Sequence, residues 1–281
     1  MSAGPPAGLP TNARFDLHMH SLRSDGRQAP EAMAAMAANA GLDVIAITDH
    51  DCEPLLPWGP TTLGGRRLHI VHAAELSGMH EGQELHLLVY FPGEMPLEFR
   101  RLLRGLCLAR VDRYEQACVN FQLADLPPPD EAARAGLRAL TRTHLAQALI
   151  DSGHARDTAE AYSRFAGSAA GLVPDVAPRF LGLIRMARAV GGLTSWAHPP
   201  AAQVAAHLGT FVRAGLQGIE TARPKLPGPE RAGLQKLAHR HGLVQTGGSD
   251  HHGWPNQRPL GQWSFPMREA RPFARALKLA A

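Results

Sequence analysis

The chain has 281 residues, of which 44% are hydrophobic and 19% are charged, and this composition is typical of a folded globular protein. Its length allows one large α/β barrel or two domains of ordinary size. No apolar run is long enough to cross a bilayer, which argues against a membrane-embedded protein. The formal net charge of +4 is too small to indicate nucleic-acid binding by itself.

The cysteines and the first residues bear on the cellular compartment. Cys52, Cys107 and Cys118 show no CxxC spacing, so they indicate neither a disulfide framework nor a zinc-thiolate site. A reducing cytoplasm is therefore expected. Residues 1–14 are rich in Pro, Gly and Ala but lack a basic start and a continuous apolar segment, so we expect a flexible leader and no signal peptide.

Seven hydrophobic segments predict β-strands, and most of them are followed by a segment with helical periodicity. The predicted strands are residues 15–20, 43–48, 68–73, 84–91, 192–197, 218–221 and 244–246. Helices are expected near residues 29–40, 178–190 and 271–279. The stretch 93–173 contains helical segments and no convincing strand, which predicts an inserted helical subdomain.

Regular alternation of strands and helices predicts a parallel sheet, because parallel strands need a crossover connection. Seven such units with polar residues at the strand ends favour an α/β fold of the distorted (β/α)7 TIM-like barrel type. The barrel would consist of residues 15–92 and 174–281, and the insertion of residues 93–173.

Polar residues recur where the predicted strands end, and parallel strands would bring these ends to one mouth of the barrel. Within the first strand, His18 and His20 point to the same side, so both imidazoles can reach one ion. The polar groups in chain order are Asp16-Leu17-His18-Met19-His20 with Ser24-Asp25-Gly26, Thr48-Asp49-His50-Asp51, Glu75, His86, Ala197-His198-Pro199 and Gly248-Ser249-Asp250-His251-His252-Gly253.

Each of these groups has an ordinary structural alternative. An isolated histidine such as His86 in an apolar strand is more often a hydrogen-bonded core residue. Asp25 before Gly26 is typical of a turn. Such groups, however, occur at six of the seven predicted strand ends. One shared metal site explains them better than six unrelated structural roles. The sequence therefore predicts a cluster of metal ligands at one end of the barrel.

These motifs resemble those of the PHP family, which is named for polymerase-associated domains and histidinol phosphatases and lies within the amidohydrolase-like metal barrels. The resemblance covers residues 15–261 and is carried by Asp16-x-His18-x-His20-Ser21, Ser24-Asp25-Gly26, Thr48-Asp49-His50-Asp51, Glu75-Leu76-Ser77, Ala197-His198-Pro199 and Gly247-Gly248-Ser249-Asp250-x-His252-Gly253. It implies metal ligands at His18, His20, Asp25, His50, Glu75, His86, His198, Asp250 and His252. It also implies that Glu75 bridges two ions.

Nine ligands are too many for one ion, so two or three divalent ions are expected. Mixed His, Asp and Glu ligands suit Mn, Fe or Zn better than Mg. Two ions about 3.5–4 Å apart can hold a bridging hydroxide that attacks a phosphate ester without a protein nucleophile. The sequence has no GxSxG elbow and no P-loop, in agreement with this mechanism. The candidate catalytic residues are Glu75 and His50, with Asp51 as a supporting or acid–base group.

The start of a predicted helix in the insertion is a candidate phosphate site. Arg142-Thr143-His144-Leu145-Ala146 also recurs in the small stand-alone PHP phosphoesterases that this chain resembles. Helix N-terminal amides and a guanidinium group can hold a phosphate, whereas the alternative is a surface salt bridge at a helix start. We expect Arg142 and His144, together with Ser24, to bind a substrate phosphate.

Three functions are compatible with these motifs. The resemblance implies first a phosphatase for a small phosphorylated metabolite, in particular a nucleotide such as a 3′,5′-nucleoside bisphosphate. The second is a 5′-to-3′ exonuclease that acts on short RNA by the same chemistry. The third is a degenerate barrel that only binds ligands, and the complete ligand set argues against it. No membrane partner is expected, and the sequence leaves the oligomeric state open.

Overall fold

The computed structural model describes residues 8–279 and contains two mixed β-sheets with helices packed around them. The strands are β1 Arg14–Asp16, β2 Val44–Ile45, β3 Gly59–Leu63, β4 Arg66–Ile70, β5 Ala73–His80, β6 Gln83–Tyr90, β7 Leu193–Trp196, β8 Gly218–Ala222, β9 Val244–Gly247 and β10 Phe265–Pro266. The first sheet has the order β10-β1-β2-β4-β3 and the second has the order β5-β6-β7-β8-β9. Half of the predicted leader, residues 1–7, lies outside the described residues.

The helices connect these strands or follow the last of them. They are α1 Pro30–Asn39, α2 Leu97–Phe121, α3 Glu131–Arg134, α4 Arg142–Asp151, α5 Thr158–Ala161, α6 Phe180–Ala189, α7 Ala201–Ala214, α8 Gly228–Arg240 and α9 Met267–Ala276. A π-helical turn continues α5 over Tyr162–Ala166, and a 3-10 turn follows at Ser168–Ala170. Between residues 8 and 279, no helix has both the length and the apolar character needed to span a membrane.

Two seams of backbone hydrogen bonds join the sheets. At one seam, the Asp250 N–H donates to the His18 carbonyl and the His20 N–H donates to the His251 carbonyl, both at 2.8 Å. At the other, the Asp51 N–H donates to the Glu75 carbonyl at 2.9 Å. Each seam contains an isolated bridge and no regular ladder in the described part of the chain. The predicted α/β class is confirmed, whereas one closed barrel sheet is not observed.

The prediction that all strands run parallel is wrong for β6. This strand is antiparallel to both β5 and β7. The reason is a two-residue turn at Glu81 and Gly82, whose φ angles of 49° and 75° both lie in the left-handed region. Turns with positive φ at both central residues match the twist of an antiparallel hairpin and leave no room for a crossover helix.

The predicted strand 68–73 is divided between the two sheets. Ile70 at the end of β4 pairs with β2, whereas Ala73 at the start of β5 pairs with Tyr90 of β6. The chain thus crosses from the first sheet to the second over two residues. Because of this crossing, Glu75 lies within β5 and beside the second seam, where it bridges to His50.

A shared apolar core holds the two sheets in a fixed relation. Phe15 and Val44 from the first sheet and Tyr90 from the second belong to one buried cluster, which α9 covers with Phe273. All four side chains are fully buried. Burial of a large apolar side chain contributes about 1.5–3 kcal/mol, so this cluster stabilises the orientation of the strand ends where the polar residues lie.

Helices α2 to α5 have a hydrophobic cluster of their own, which includes Tyr114, Leu145 and Leu149. Helix α2 is also anchored on the second sheet, because Phe99 and Leu103 from its first turns are buried in the core of that sheet. The helical segments expected within residues 93–173 are therefore present. Their status as a separate domain stays a prediction.

Candidate metal centre and phosphate pocket

All nine predicted ligands lie close together where the two sheets meet. Their potential ligand atoms form four overlapping groups, each with all atoms within 4.8 Å of one another. The groups are His20, Asp25, His50 and His252; His18, His20 and Asp250; His18, Glu75 and His198; and His50, Glu75 and His86. Residues more than 230 positions apart in the sequence thus share one site.

Glu75 is the central carboxylate of this arrangement. Its Oε2 atom lies 3.3 Å from Nε2 of His18 and 3.2 Å from both Nε2 of His20 and Nδ1 of His50. Its Oε1 atom lies 3.2 Å from Nδ1 of His86 and 3.0 Å from Nε2 of His198. The two oxygens of one carboxylate therefore face two different sets of imidazoles, which is the geometry that a bridging ligand requires.

Asp25 occupies a third position at the edge of the cluster. Its Oδ1 atom lies 3.4 Å from Nε2 of His252, and its Oδ2 atom lies 3.8 Å from Nε2 of His50. Asp25 Oδ1 and His50 Nδ1 are both buried and lack a partner with hydrogen-bonding geometry among the described residues. Buried polar atoms of this kind are costly unless something binds them.

The spacing of the ring nitrogens fits common metal ions. Nε2 of His18 lies 3.1 Å from Nε2 of His20, and Nδ1 of His86 lies 3.2 Å from Nε2 of His198. Ligands about 2.1 Å from a tetrahedral ion are separated from each other by about 3.4 Å. Together with the unsatisfied atoms of Asp25 and His50, these distances show that the donor set suits transition-metal ions.

The electrostatics of the centre favour cations. Burial alone would lower the pKa of His20 and His86, but the neighbouring carboxylates raise both to about 10. Burial alone would raise the pKa of Glu75, but the charges of His18 and His86 hold it well below its usual range. The carboxylates thus attract either protons or metal ions to this site, and the two compete for the same ring nitrogens.

Close backbone approach explains two glycines of the motifs. A Cβ atom on Gly248 would lie 2.1 Å from the Cβ of His18, and one on Gly26 would lie 2.0 Å from the His20 carbonyl oxygen. In addition, His198 and Asp250 have positive φ angles of 27° and 52°. Left-handed backbone is uncommon outside glycine, and such conformations are concentrated at functional sites.

Glu220, which lies on β8, supports two of the candidate ligands. Its Oε1 atom lies 3.2 Å from Nδ1 of His18, and its Oε2 atom accepts a hydrogen bond from the backbone N–H of His198 at 2.7 Å. A carboxylate on Nδ1 orients the ring so that Nε2 points towards a metal. Glu220 therefore holds His18 in the orientation that coordination requires.

The structure gives Ser24 a partner within the protein. Its hydroxyl donates to Oδ1 of Asp49 at 2.7 Å, and its side chain is almost fully buried. The hydroxyl of Ser21 donates to the other oxygen of Asp49 at 2.6 Å. Asp49 thus braces the loop that carries Asp25. Contact of Ser24 with a substrate phosphate stays a prediction.

Asp51 also has a partner that the sequence did not reveal. Its Oδ2 atom accepts a hydrogen bond from Nε of Arg110 at 2.7 Å and lies 2.7 Å from Nη2 of the same guanidinium, and both side chains are buried. Arg110 lies on α2 in the helical region and also donates to the Ser77 hydroxyl at 3.0 Å. The pair therefore ties α2 to the loop that follows β2.

A cavity of about 290 Å³ lies between the metal centre and the helical region. The side chains of Arg110, Arg113 and Arg142 line it together with Glu84. Burial and the nearby charge of Arg110 lower the pKa of Arg113 to about 9. The cavity thus places three guanidinium groups next to the candidate metal ligands, and this is an environment suited to a phosphate.

Arg142, which was expected at this position, lines the cavity and is only 15% exposed. Its Nη1 atom donates to the Ala166 carbonyl at 3.0 Å, and its Nη2 atom lies 3.7 Å from Glu84. Arg110 and Arg113 were missed by the sequence reasoning. The sequence does contain a signal for them, because the two arginines lie one helical turn apart on α2 and the other buried positions around them are mostly apolar.

His144 has a clear structural role at the start of α4. Its Nδ1 atom accepts a hydrogen bond from the Thr141 N–H at 3.0 Å, while the Thr141 side chain accepts one from the Thr143 N–H at 3.2 Å. This reciprocal arrangement is a capping box. Contact of His144 with a phosphate stays a prediction that would have to involve its other ring nitrogen.

No family model matches the sequence. The chain is 27% identical over 251 residues to the 5′-3′ exoribonuclease Rnm of Escherichia coli, with 85% of each chain covered. It is 27% identical over 251 residues to the 3′,5′-nucleoside bisphosphate phosphatase of Chromobacterium violaceum, covering 85% of this chain and 87% of the relative. It is 30% identical over 254 residues to the phosphoribosyl 1,2-cyclic phosphate 1,2-diphosphodiesterase of Eggerthella lenta, covering 85% and 94%.

Two solved structures share the fold. One is a protein from Bifidobacterium adolescentis described as a candidate metal-dependent phosphoesterase, with a TM-score of 0.74, 24% identity, and 97% and 98% of the two chains covered. The other is an amidohydrolase from Chromobacterium violaceum with bound sulfate and no metal, with a TM-score of 0.73, 22% identity, and 94% and 97% covered. At these identities the likeness establishes the overall fold.

Proposed function

The chain belongs to the PHP family of metal-dependent phosphoesterases and is a phosphoric ester hydrolase, and from this premise we propose that its substrate is a phosphorylated nucleotide of the 3′,5′-nucleoside bisphosphate type. The observation that carries the proposal is the cavity lined by Arg110, Arg113 and Arg142 next to the metal centre. A phosphate ester that reacts at the metal centre would leave guanidinium groups of this cavity for a second phosphate of the same substrate.

The charges around the cavity support an anionic substrate at Arg113. Asp51 engages Arg110, and Nη2 of Arg142 lies 3.5 Å from Asp175 and 3.7 Å from Glu84, whereas Arg113 forms no ion pair within 4 Å among the described residues. Arg113 donates only to the Leu140 carbonyl, at 3.1 Å, among its hydrogen bonds to described residues. An oxyanion facing Arg113 would raise the pKa of its guanidinium back towards the ordinary value.

We propose that the nine clustered residues hold two or three divalent ions of Mn, Fe or Zn. When bound, such ions supply Lewis-acid stabilisation of phosphate oxygens and lower the pKa of a water molecule. Glu75 would bridge them, because its two oxygens face different imidazoles. Asp51 would act by holding Arg110 at the cavity, because both bonds to Arg110 converge on one of its oxygens.

A further proposal concerns the architecture around this site. The two seams support the proposal that the two sheets form one distorted seven-stranded barrel. In this barrel the ladder of backbone hydrogen bonds is interrupted at each of the two seams. The separate core of α2 to α5 supports residues 93–173 as an insertion domain that forms one wall of the substrate cavity.

The cysteines support a proposal about the cellular location. The thiols of Cys52 and Cys107 are free, although their Sγ atoms lie 3.2 Å apart, and this supports a reducing cytoplasmic location.

A second candidate function is 5′-to-3′ hydrolysis of short RNA. A further cavity of about 440 Å³ lies on the other side of Asp25 and Thr143, and Arg27 and Trp254 line it. Trp254 is 36% exposed, so one face is available for stacking on a base, and Arg27 adds a cation. A chain of two or three nucleotides would need this additional space, whereas a mononucleotide would not.

The test is a substrate panel with the Mn-loaded enzyme. Nucleoside 3′,5′-bisphosphates, sugar phosphates and short 5′-phosphorylated RNAs are compared by the release of phosphate or mononucleotide. We expect the highest kcat/KM with a bisphosphate. If RNA is hydrolysed at least as efficiently, the exonuclease function replaces the proposed one, and a preference for sugar phosphates contradicts both.

A further inference from the structure

A second group of potential metal ligands lies at the tip of the β5–β6 hairpin. His80 ends β5, Glu81 occupies the turn, and His207 lies on α7. The ligand atoms of these three residues lie within 4.8 Å of one another. His80 is five residues from Glu75 along an extended strand, a distance of about 16 Å, so this group is separate from the centre described above.

The Nε2 atom of His80 is buried and has no hydrogen-bond partner among the described residues. The nearest charged atom is Oε1 of Glu81 at 3.7 Å. His80 packs edge-on against His207, with the ring centroids 4.8 Å apart and an angle of 85° between the planes. A buried imidazole nitrogen without a partner costs about 1–3 kcal/mol, and an ion between these side chains would remove that cost.

We propose that His80, Glu81 and His207 form a peripheral zinc site. Two imidazoles and one carboxylate are a common zinc donor set that leaves a fourth position for water. Ligand atoms of a tetrahedral zinc ion are about 3.4 Å apart, and those of this group lie within 4.8 Å of one another, so a small side-chain movement would bring them to zinc-binding distance. The Glu81 side chain is 70% exposed, so its carboxylate is free to rotate and close the remaining distance.

The surroundings hold the two imidazoles in place. The ring of Phe211, which is fully buried, lies 4.9 Å from His80 and 5.9 Å from His207, centroid to centroid. It forms an apolar wall behind both histidines. Glu81 has a left-handed φ of 49°, fixed by the hairpin turn, which places its carboxylate beside the end of β5. The site is therefore largely formed before an ion binds.

The zinc ion would join two elements that support the main centre. β6 begins just after the turn and carries His86, and α7 begins three residues after His198. Between them, the side chains of Gln83 and Gln203 are already hydrogen-bonded to each other. A zinc ion next to this contact would link the β5–β6 hairpin to α7. It would thereby hold the segments that carry His86 and His198 in position.

The test compares zinc binding by the full-length protein and three variants. His207→Ala removes one ligand, Glu81→Gln removes the exposed carboxylate, and His241→Ala is the control, because His241 is an exposed histidine at the end of α8. Zinc per chain is measured by equilibrium dialysis and elemental analysis. Protection of His207 from diethylpyrocarbonate by zinc is followed by mass spectrometry, which locates the ion independently of the main centre.

We expect His207→Ala to bind one zinc ion fewer than the wild-type protein, and His241→Ala to bind the same number. Glu81→Gln should bind the same ion more weakly by more than about tenfold. Zinc should protect His207 in the wild-type protein and less in Glu81→Gln. Equal zinc content in all four proteins, or unprotected His207 at saturating zinc, overturns the proposal. Because Glu81 is exposed, its variant provides a result even if His207→Ala does not fold.

Discussion

Single residues of the metal centre differ in what they contribute, and Glu75 has the most partners. Five imidazole nitrogens lie within 3.3 Å of its two oxygens. By contrast, Glu220 acts through His18 and His198 and faces no other candidate ligand at this distance among the described contacts. The carboxylate of Glu75 is therefore the one whose charge affects the whole cluster.

Glu75→Gln should reduce kcat by more than about 100-fold, because an amide cannot supply two anionic oxygens to neighbouring ions. Metal content is measured on the same samples by elemental analysis, and Glu98→Gln, an exposed change on α2, is the control. Near-normal turnover by a fully metallated Glu75→Gln protein would show that Glu75 is not the bridging ligand.

Arg142→Ala should keep its metal content, because Arg142 contacts no candidate ligand, but lose about 2 kcal/mol or more of transition-state binding, roughly 30-fold in kcat/KM. Arg142→Lys should recover only part, because an ammonium group lacks the two-pronged geometry. A bisphosphate should be affected more than bis(p-nitrophenyl) phosphate if Arg142 binds the non-reacting phosphate. Equal losses would place Arg142 at the reacting phosphate. No loss on either substrate would limit Arg142 to its contacts with Ala166, Glu84 and Asp175.

At the scale of elements, the position of α2 depends on a buried ion pair between Asp51 and Arg110. The helix also contacts the loop after β2 through Cys107, which lies next to Cys52. Asp51 has a positive φ of 51°, so the loop adopts an unfavourable conformation to present this carboxylate. The orientation of the arginine cavity relative to the metal centre therefore depends on α2 staying in place.

Arg110→Met should destabilise the protein by about 3 kcal/mol, because it leaves the buried carboxylate of Asp51 without its counterion. Adding Asp51→Asn should recover much of this loss, since asparagine tolerates the left-handed backbone and removes the buried charge. Urea unfolding of the wild-type, both single variants and the double variant measures the coupling. Strictly additive effects would show that the pair does not hold α2 in position.

His144 should make stability depend on pH through the capping box of α4. Burial and the nearby Arg138 lower the pKa of His144 to about 4 from its ordinary value of 6.5. The folded state therefore binds fewer protons than the unfolded state between these values, so stability is present above pH 6.5 and is lost as pH falls towards 4. Protonation would turn Nδ1 into a donor facing the Thr141 N–H.

The expected loss over this pH window is about 3 kcal/mol. His144→Gln keeps the capping box without titrating, so unfolding free energies of the two proteins at pH 7 and pH 4.5 isolate this contribution. The wild-type protein should lose more stability on acidification than the variant. Parallel losses would show that other groups are responsible for the acid sensitivity.

At the scale of the whole molecule, the metal centre joins the two sheets. His18 and His20 follow β1 of the first sheet, whereas Glu75 and His86 lie on β5 and β6 of the second. The backbone seams between the sheets are only isolated bridges. Bound ions would therefore cross-link the two sheets where few backbone hydrogen bonds connect them.

Removal of metal with a chelator should lower the melting temperature, since an ion at about 1,000 times its Kd stabilises the folded state by about 4 kcal/mol. Metal binding should also release protons and weaken as pH falls, because His20 and His86, whose pKa values are raised to about 10, must become neutral to coordinate. Calorimetry in two buffers of different ionisation enthalpy measures the protons released. An unchanged melting temperature after complete metal removal would contradict this role.

The sequence by itself predicted which residues lie together at the candidate metal centre. His18 and His20 are two residues apart at the end of a predicted strand, and His50, His198 and Asp250 follow apolar segments, so local periodicity and segment ends indicated that these residues meet at one place. The α/β class followed from the same periodicity. These features depend on short-range spacing, which a single sequence contains.

Only the tertiary structure decided how these segments meet. The sequence did not reveal that β6 runs antiparallel, because this depends on the left-handed turn at Glu81 and Gly82. It also did not reveal Arg110 and Arg113, because their direction depends on how α2 packs against the loop containing Asp51. Contacts between residues far apart in sequence are set by packing and buried charge, and no local pattern contains that information.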